Sequence, residues 1–299
     1  MGSICSSPED GQIEEHPGSS PLVLWGDVQQ SETRVVMTLL YLAKIKYEFQ
    51  QVTIPVSTGP GNVSQLPKKE DYLEMNEAKP IQNLVEGRSI YIGQRDSFFT
   101  YIANYKEDIS VQLLPKFPQT TADRVKQCLD WHESILQPAV LRLVTAQRKV
   151  WLYKAQRQRE TKLNQNSLLG GLTSEQLVIF EQKLSLALFE IKKYILPAIE
   201  EQLRGRAYFC ADKQKEQQLN LSSRSSVYKK KIGEAGLTMV DIVIYHEIQT
   251  ALMLTNSNGL DSAQFPNIVT WLAKMGGHAC MVEQDRKLND FLNSYSFSL

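Results

Sequence analysis

Four short stretches of this chain carry side chains suited to chemistry, or to holding chemistry in place. The chain opens MGSICSS. Gly2 with Ser6 fits the acceptor pattern for N-myristoylation, and Cys5 stands where a second acyl chain could be attached. One myristoyl chain binds a bilayer only marginally. Glu9, Asp10, Glu14 and Glu15 would be repelled by anionic lipid, so Cys5 would have to supply the second anchor. Ser31, at the head of SETRVVMTLLYLAKI, is suited to cap a helix by accepting from the free amides of its first turn. Gln94 and Arg95 precede the helical run DSFFTYIA; a guanidinium there can grip a carboxylate through two parallel hydrogen bonds. Thr238 and Asp241 form a T-x-x-D capping box, in which the hydroxyl serves the amide near Asp241 and the carboxylate reaches back to the threonine amide. Leu237 and Ile242 are placed as its hydrophobic staple.

Other chemistries are disfavoured. The four cysteines (Cys5, Cys128, Cys210, Cys280) include no C-x-x-C, and the four histidines (His16, His132, His246, His278) are scattered, so no metal site is expected. The cysteines read as reduced intracellular thiols, which implies a cytoplasmic protein, membrane-associated if the N-terminus is acylated. Thirty-three basic residues balance thirty-three acidic ones, so no nucleic-acid partner is expected. No apolar run approaches the ~18 residues needed to span a bilayer. The first lysine or arginine is Arg34, which argues against a secretory or mitochondrial leader.

The elements that must position these residues follow from periodicity. Residues 1–20, rich in Pro, Gly, Ser and Glu, read as a flexible tail. Over 21–106 the order is β-α-β-α-β-β-α. LVLWGDV is a buried strand, and a helix follows with Val35, Val36, Leu39, Leu42 and Ala43 on one face. YEFQQVTI is a second strand; IQNLV and SIYIG form a hairpin through Glu86, Gly87 and Arg88. Residues 107–119, with Pro115 and Pro118, read as a linker. From 120 to 299 the pattern is helical, with Thr120, Ser174 and Thr238 as N-caps and Trp131 in the core. Arg142, Arg148, Lys149, Lys154, Arg157, Arg159 and Lys162 form a basic stretch, read as a solvated helix extension in preference to an arm for an anionic partner.

This order of elements resembles the cytosolic glutathione transferase family. The residues that carry the likeness are LVLWGDVQQSETRVVMTLLYLA for the first strand and helix, QRDSFFTYIA for the family's glutamine/glutamate-serine/threonine segment, and LTMVDIVIYHEI for the capping-box helix. The helical half looks most like the theta-type branch or its translation-factor-gamma relatives. The resemblance implies a thioredoxin-like α/β domain followed by an all-α bundle, glutathione as substrate without a metal, and a homodimer. It carries the glutathione-binding positions onto Gln82, Asn83, Gln94 and Arg95, and the hydroxyl that stabilises the thiolate onto Ser31. It also marks 213–235, with Lys229, Lys230 and Lys231, as a basic insertion of a kind that suits docking onto something else.

The likeness is imperfect where it matters. Gln82 or Pro80 stands for the cis-proline, Arg95 for the hydroxyl residue, and Gln30 falls on the catalytic hydroxyl position with Ser31 next to it. Two function classes therefore stand. The preferred one is an interaction or structural subunit with an eroded glutathione site and protein partners. The alternative is an active theta-like transferase working through Ser31.

Overall fold

The computed structural model describes residues 22–51, 82–86, 89–92, 107–116, 119–163, 173–211, 237–254 and 260–297. The chain divides into two compact units between Glu107 and Asp108.

In the first unit, strand β1 (Val23–Gly26) leads into helix α1 (Ser31–Leu42) and strand β2 (Glu48–Gln51). Strands β3 (Gln82–Glu86) and β4 (Ser89–Ile92) form the hairpin, with Glu86 opposite Ser89. The sheet order is β2-β1-β3-β4. β1 runs parallel to β2, as a helical crossover requires, and antiparallel to β3. Leu24, fully buried, lies between Phe49 on one side and Leu84 on the other.

Helix α1 is buried over most of its length, and its burial extends beyond the apolar face to Thr33, Arg34 and Thr38. It ends with Lys44 in the left-handed region (φ 57°). The amides of Lys44 and Ile45 return to the carbonyls of Tyr41 and Leu40, closing the last turn.

β1 and α1 approach so closely at Gly26 that an added Cβ would lie 2.8 Å from Cγ2 and Oγ1 of the buried Thr33. Gly26→Ala is therefore expected to cost about 1–3 kcal/mol by overpacking. Denaturant unfolding of the full chain checks this, and a second substitution, Thr33→Ala, should recover most of the loss.

The second unit is helical in all its described elements. Residues 107–119, read from sequence as a linker, contain helix α2 (Glu107–Leu113). Helix α3 (Gln119–Trp131) runs through a π-helical turn, His132–Leu136, into the long α4 (Gln137–Leu163). Helix α5 (Ser174–Glu190) runs through a second π-helical turn, Ile191–Ile195, into α6 (Leu196–Leu203). Then come α7 (Met239–Leu254), α8 (Pro266–Met275) and α9 (Ala279–Phe297).

α4 packs along α5, and α7 packs against α3 and α4. α7 is buried on nearly every side, so it is the axis of this unit. Two residues of the basic stretch on α4 reach α5. Arg142 makes two hydrogen bonds to Glu190 (2.8 and 2.7 Å), and the Lys149 ammonium sits 5.1 Å from the Phe180 ring centre.

Three helix starts differ from the expected caps. Thr120 lies inside the first turn of α3. The cap of α5 is Thr173, not Ser174. Its hydroxyl accepts from the Gln176 amide (3.2 Å), and the Gln176 side chain accepts from the Thr173 amide (2.8 Å). α1 is capped by neither the hydroxyl nor the amide of its neighbours' side chains: Gln30 occupies the cap position in extended conformation, and Ser31 is the first helical residue.

α8 borrows its cap from α6. Pro266 opens it, and the Glu200 carboxylate accepts from the amides of Asn267 (3.0 Å) and Ile268 (2.9 Å). Glu200→Gln keeps the size but replaces one acceptor oxygen with a donor facing those amides. It is expected to cost about 1–2 kcal/mol, read from the urea midpoint.

Candidate functional site

Of the residues that sequence reasoning singled out in the first unit, Ser31, Gln82 and Asn83 are described, and the backbone brings them to the carboxyl end of β1. Gln82 pairs with Gly26 and Asn83 with Trp25, so β3 begins beside the loop that carries Ser31. Gln94, Arg95, Gly2, Cys5, Pro80 and the basic segment 213–235 lie outside the described residues.

The β1–α1 loop is tightly closed. Asp27, Val28, Gln29, Gln30 and Ser31 are all buried. The Gln51 side chain, at the end of β2, donates to an Asp27 carboxylate oxygen (3.1 Å) and accepts from the Val28 amide (3.2 Å). The same Asp27 oxygen accepts from the Gln29 amide (2.9 Å), and Arg34 donates to the Val28 carbonyl.

Ser31 is 5% exposed, and its hydroxyl donates to the Glu32 carboxylate (3.3 Å). A carboxylate beside that hydroxyl disfavours a thiolate nearby, because a like charge opposes the ionised form. Asp27 and Gln51 were missed from sequence. The available signal was an acid directly after a wholly apolar strand.

In the second unit, Asp241 is fully buried and gathers donors from three segments. Its carboxylate accepts from the Thr238 amide (3.0 Å), the Thr238 hydroxyl (2.9 Å), the Phe209 amide (3.0 Å) and the Trp271 indole (3.2 Å). The capping box differs from the expected form in one half. The threonine hydroxyl donates to the carboxylate; it does not accept from the amide near Asp241. Leu237 and Ile242 are both buried at this turn.

Trp131, expected in the core, is half-buried. It stands in the wall of a cavity of about 260 Å³ with Arg124, Cys128, Gln202 and Phe209. Among the described residues no helix is long and apolar enough to cross a membrane, and no group of three or more His, Cys, Asp or Glu could hold a metal ion.

No protein-family model matches the chain, and no curated protein matches it. Solved structures do. A glutathione transferase homolog from Drosophila mojavensis, with bound glutathione, aligns at 15% identity over 93% of this chain and 97% of its own, with a TM-score of 0.56. Glutathione transferase E6 from Drosophila melanogaster aligns at 16% identity over 92% and 97%, TM-score 0.52. Glutathione transferase F7 from Populus trichocarpa aligns at 13% identity over 89% and 98%, TM-score 0.53. The small mixed sheet with its α1 crossover, followed by the helical unit built round α7, is thus the glutathione transferase fold.

Proposed function

We propose that this chain is a glutathione-transferase-like protein whose glutathione site is eroded, and that it works as an interaction or structural subunit of a larger assembly. The observation that carries this reading is Ser31. Its hydroxyl is buried and engaged by the Glu32 carboxylate, within a loop filled by Asp27, Gln29 and Gln51. Losing one buried partner for a ligand typically costs ~1–3 kcal/mol, so the loss of two of the three glutathione anchors would remove most useful affinity.

Exposed apolar side chains on α5 support a protein partner. Val178, Ile179, Leu186 and Phe189 are all about half exposed or more, and Tyr194 continues beyond them. The same face suits a homodimer. The helical half is read as theta-like or translation-factor-gamma-like, on the likeness that the stretch LTMVDIVIYHEI carries. A cytoplasmic location, with membrane association through Gly2 and Cys5, completes the proposal; the intact mass of the purified N-terminus tests the acylation.

A second reading is an active theta-like transferase that uses glutathione as substrate, with Ser31 beside the thiol and Gln82, Asn83, Gln94 and Arg95 holding the peptide. One observation favours it: Gln30, at the cap position of α1, makes no side-chain cap hydrogen bond, which suits an anion at that helix start. Calorimetry with reduced glutathione on the full chain separates the two. The eroded-site reading expects no saturable binding up to millimolar concentration and no conjugation to a general electrophile. Binding at about millimolar or tighter, with conjugation lost in Ser31→Ala, would establish the transferase instead.

A further inference from the structure

The cavity beside Trp131 lies wholly within the helical unit, apart from every residue of the glutathione reading. Its volume is about 260 Å³. Arg124, Cys128 and Trp131 line it from α3, and Ile199 and Gln202 from α6. Each wall adjoins one of the π-helical turns: Trp131 immediately precedes the first, and α6 immediately follows the second. Such turns are rare within α-helices and recur at functional sites. The floor is apolar, because Ile199, Phe209 and Ile244 are all fully buried beneath it.

The polar groups at the rim offer donors. Arg124 uses only Nη1 within the protein, in long bonds to the carbonyls of Cys210 (3.5 Å) and Ala211 (3.3 Å). Its Nη2–Nε edge has no partner among the described residues. The Gln202 side-chain oxygen accepts from Arg206 (3.2 Å), which leaves its NH2 group as the donor on offer. None of the lining residues is acidic. The Asp241 carboxylate, on the same helix as Ile244, is engaged by its own four donors.

We propose that this cavity binds a small planar organic acid, its carboxylate held by Arg124 and Gln202 and its ring lying against Trp131 over the apolar floor. The Nη2–Nε edge of a guanidinium matches a carboxylate through two parallel hydrogen bonds. An indole offers a planar ring a broad apolar surface. An apolar hollow with a few convergent polar groups is the usual form of a small-molecule site. A bare inorganic anion would leave the floor unfilled, and a neutral ring would leave the guanidinium edge unmatched. Since a cavity of about 150 Å³ takes benzene, this one suits roughly ten non-hydrogen atoms.

The test uses the full chain with 4-methylbenzoate and its neutral counterpart, 4-methylbenzamide, titrated by calorimetry. The acid should bind saturably with a Kd of about 0.1–1 mM, and the amide at least about tenfold more weakly. Arg124→Gln should weaken the acid about tenfold or more. Cys128 locates the binding. It is half-buried in the cavity wall, so N-ethylmaleimide should alkylate it, and the acid at about ten times its Kd should slow that reaction about tenfold. The proposal is overturned if the acid does not bind saturably, if the amide binds equally well, if Arg124→Gln binds as tightly as the natural chain, or if binding leaves the alkylation rate of Cys128 unchanged. N-ethylmaleimide is close in size to the ligand, so a Cys128 that stays unmodified without ligand would show the cavity closed and overturn it too. The alkylation is read on the unaltered protein and decides the matter even where the variant folds poorly. It involves neither glutathione nor Ser31, so its outcome is separate from that of the glutathione titration.

Discussion

Asp241→Ala should unfold the helical unit or bring it to the edge of unfolding, with a loss of about 3–5 kcal/mol. The substitution strands the Phe209 amide, the Thr238 amide and the Trp271 indole, all of which donate to this carboxylate in a fully buried setting. Each buried donor left without an acceptor costs about 1–3 kcal/mol, and cooperative losses in one network do not simply add. Trp271 is itself a reporter, because its indole nitrogen bonds Asp241 and its ring lies edge-on to Phe209 at 5.2 Å. Its fluorescence in a urea titration should show the midpoint moved far down, or a baseline already unfolded. A shift worth under ~1 kcal/mol would mean that the donors find other acceptors.

The same residue carries a pH signature. Burial pushes the Asp241 carboxyl up to about 6 from 3.8, against the lowering effect of the four hydrogen bonds it accepts. A folded value above the unfolded one means that the folded state binds the proton more tightly. This contribution to stability is therefore fully present below about pH 4, falls as pH rises through about 6, and is level above it. Asp241→Asn cannot titrate. The stability of the natural chain relative to that variant should fall by about 2–3 kcal/mol between pH 4 and 7. Paired melts across that range give the difference directly, and a flat difference would remove Asp241 from the pH response.

The second large effect is expected at His132 and Glu247. The imidazole Nε2 on the first π-helical turn lies 3.3 Å from the Glu247 carboxylate on α7, and the two side chains are only 5% and 2% exposed. Removing one partner leaves the other buried without it, which typically costs 3–5 kcal/mol, whereas apolar replacement of both is far milder. His132→Ala should therefore destabilise the chain by about 3–5 kcal/mol. The double change His132→Leu, Glu247→Leu should cost less than His132→Ala and Glu247→Ala added together. A four-way cycle of urea midpoints measures the coupling, and strict additivity would show the pair to be energetically independent.

What could be read from the sequence was what is local. Thr238 and Asp241 stand three positions apart, and the carboxylate-to-amide half of their turn follows from spacing alone. The hairpin, the α1 crossover and the helical second half follow from period and punctuation in the same way. Helix starts were displaced by a single residue at Ser31 and Ser174, since a hydroxyl at the first helical position and one at the cap look alike in a string. The T-x-x-Q box at Thr173 was present but overlooked.

The contacts that define the sites are of another kind. Gln51 meets Asp27 across 24 residues, Glu200 meets Asn267 across 67, and His132 meets Glu247 across 115. No periodicity encodes such pairings; they exist only once strands and helices are stacked. That is why the hydrogen bonds that close the β1–α1 loop became visible only in three dimensions.

The Asp241 carboxylate has one more consequence. It accepts from Phe209 just before residues 212–236 and from Thr238 just after them, so both ends of that stretch are pinned to one side chain. One side chain thus closes a circuit of chain running from Phe209 to Asp241, 32 positions apart. The entropy lost on closing that circuit is offset by these hydrogen bonds, so a change at Asp241 would release Phe209 and Thr238 together.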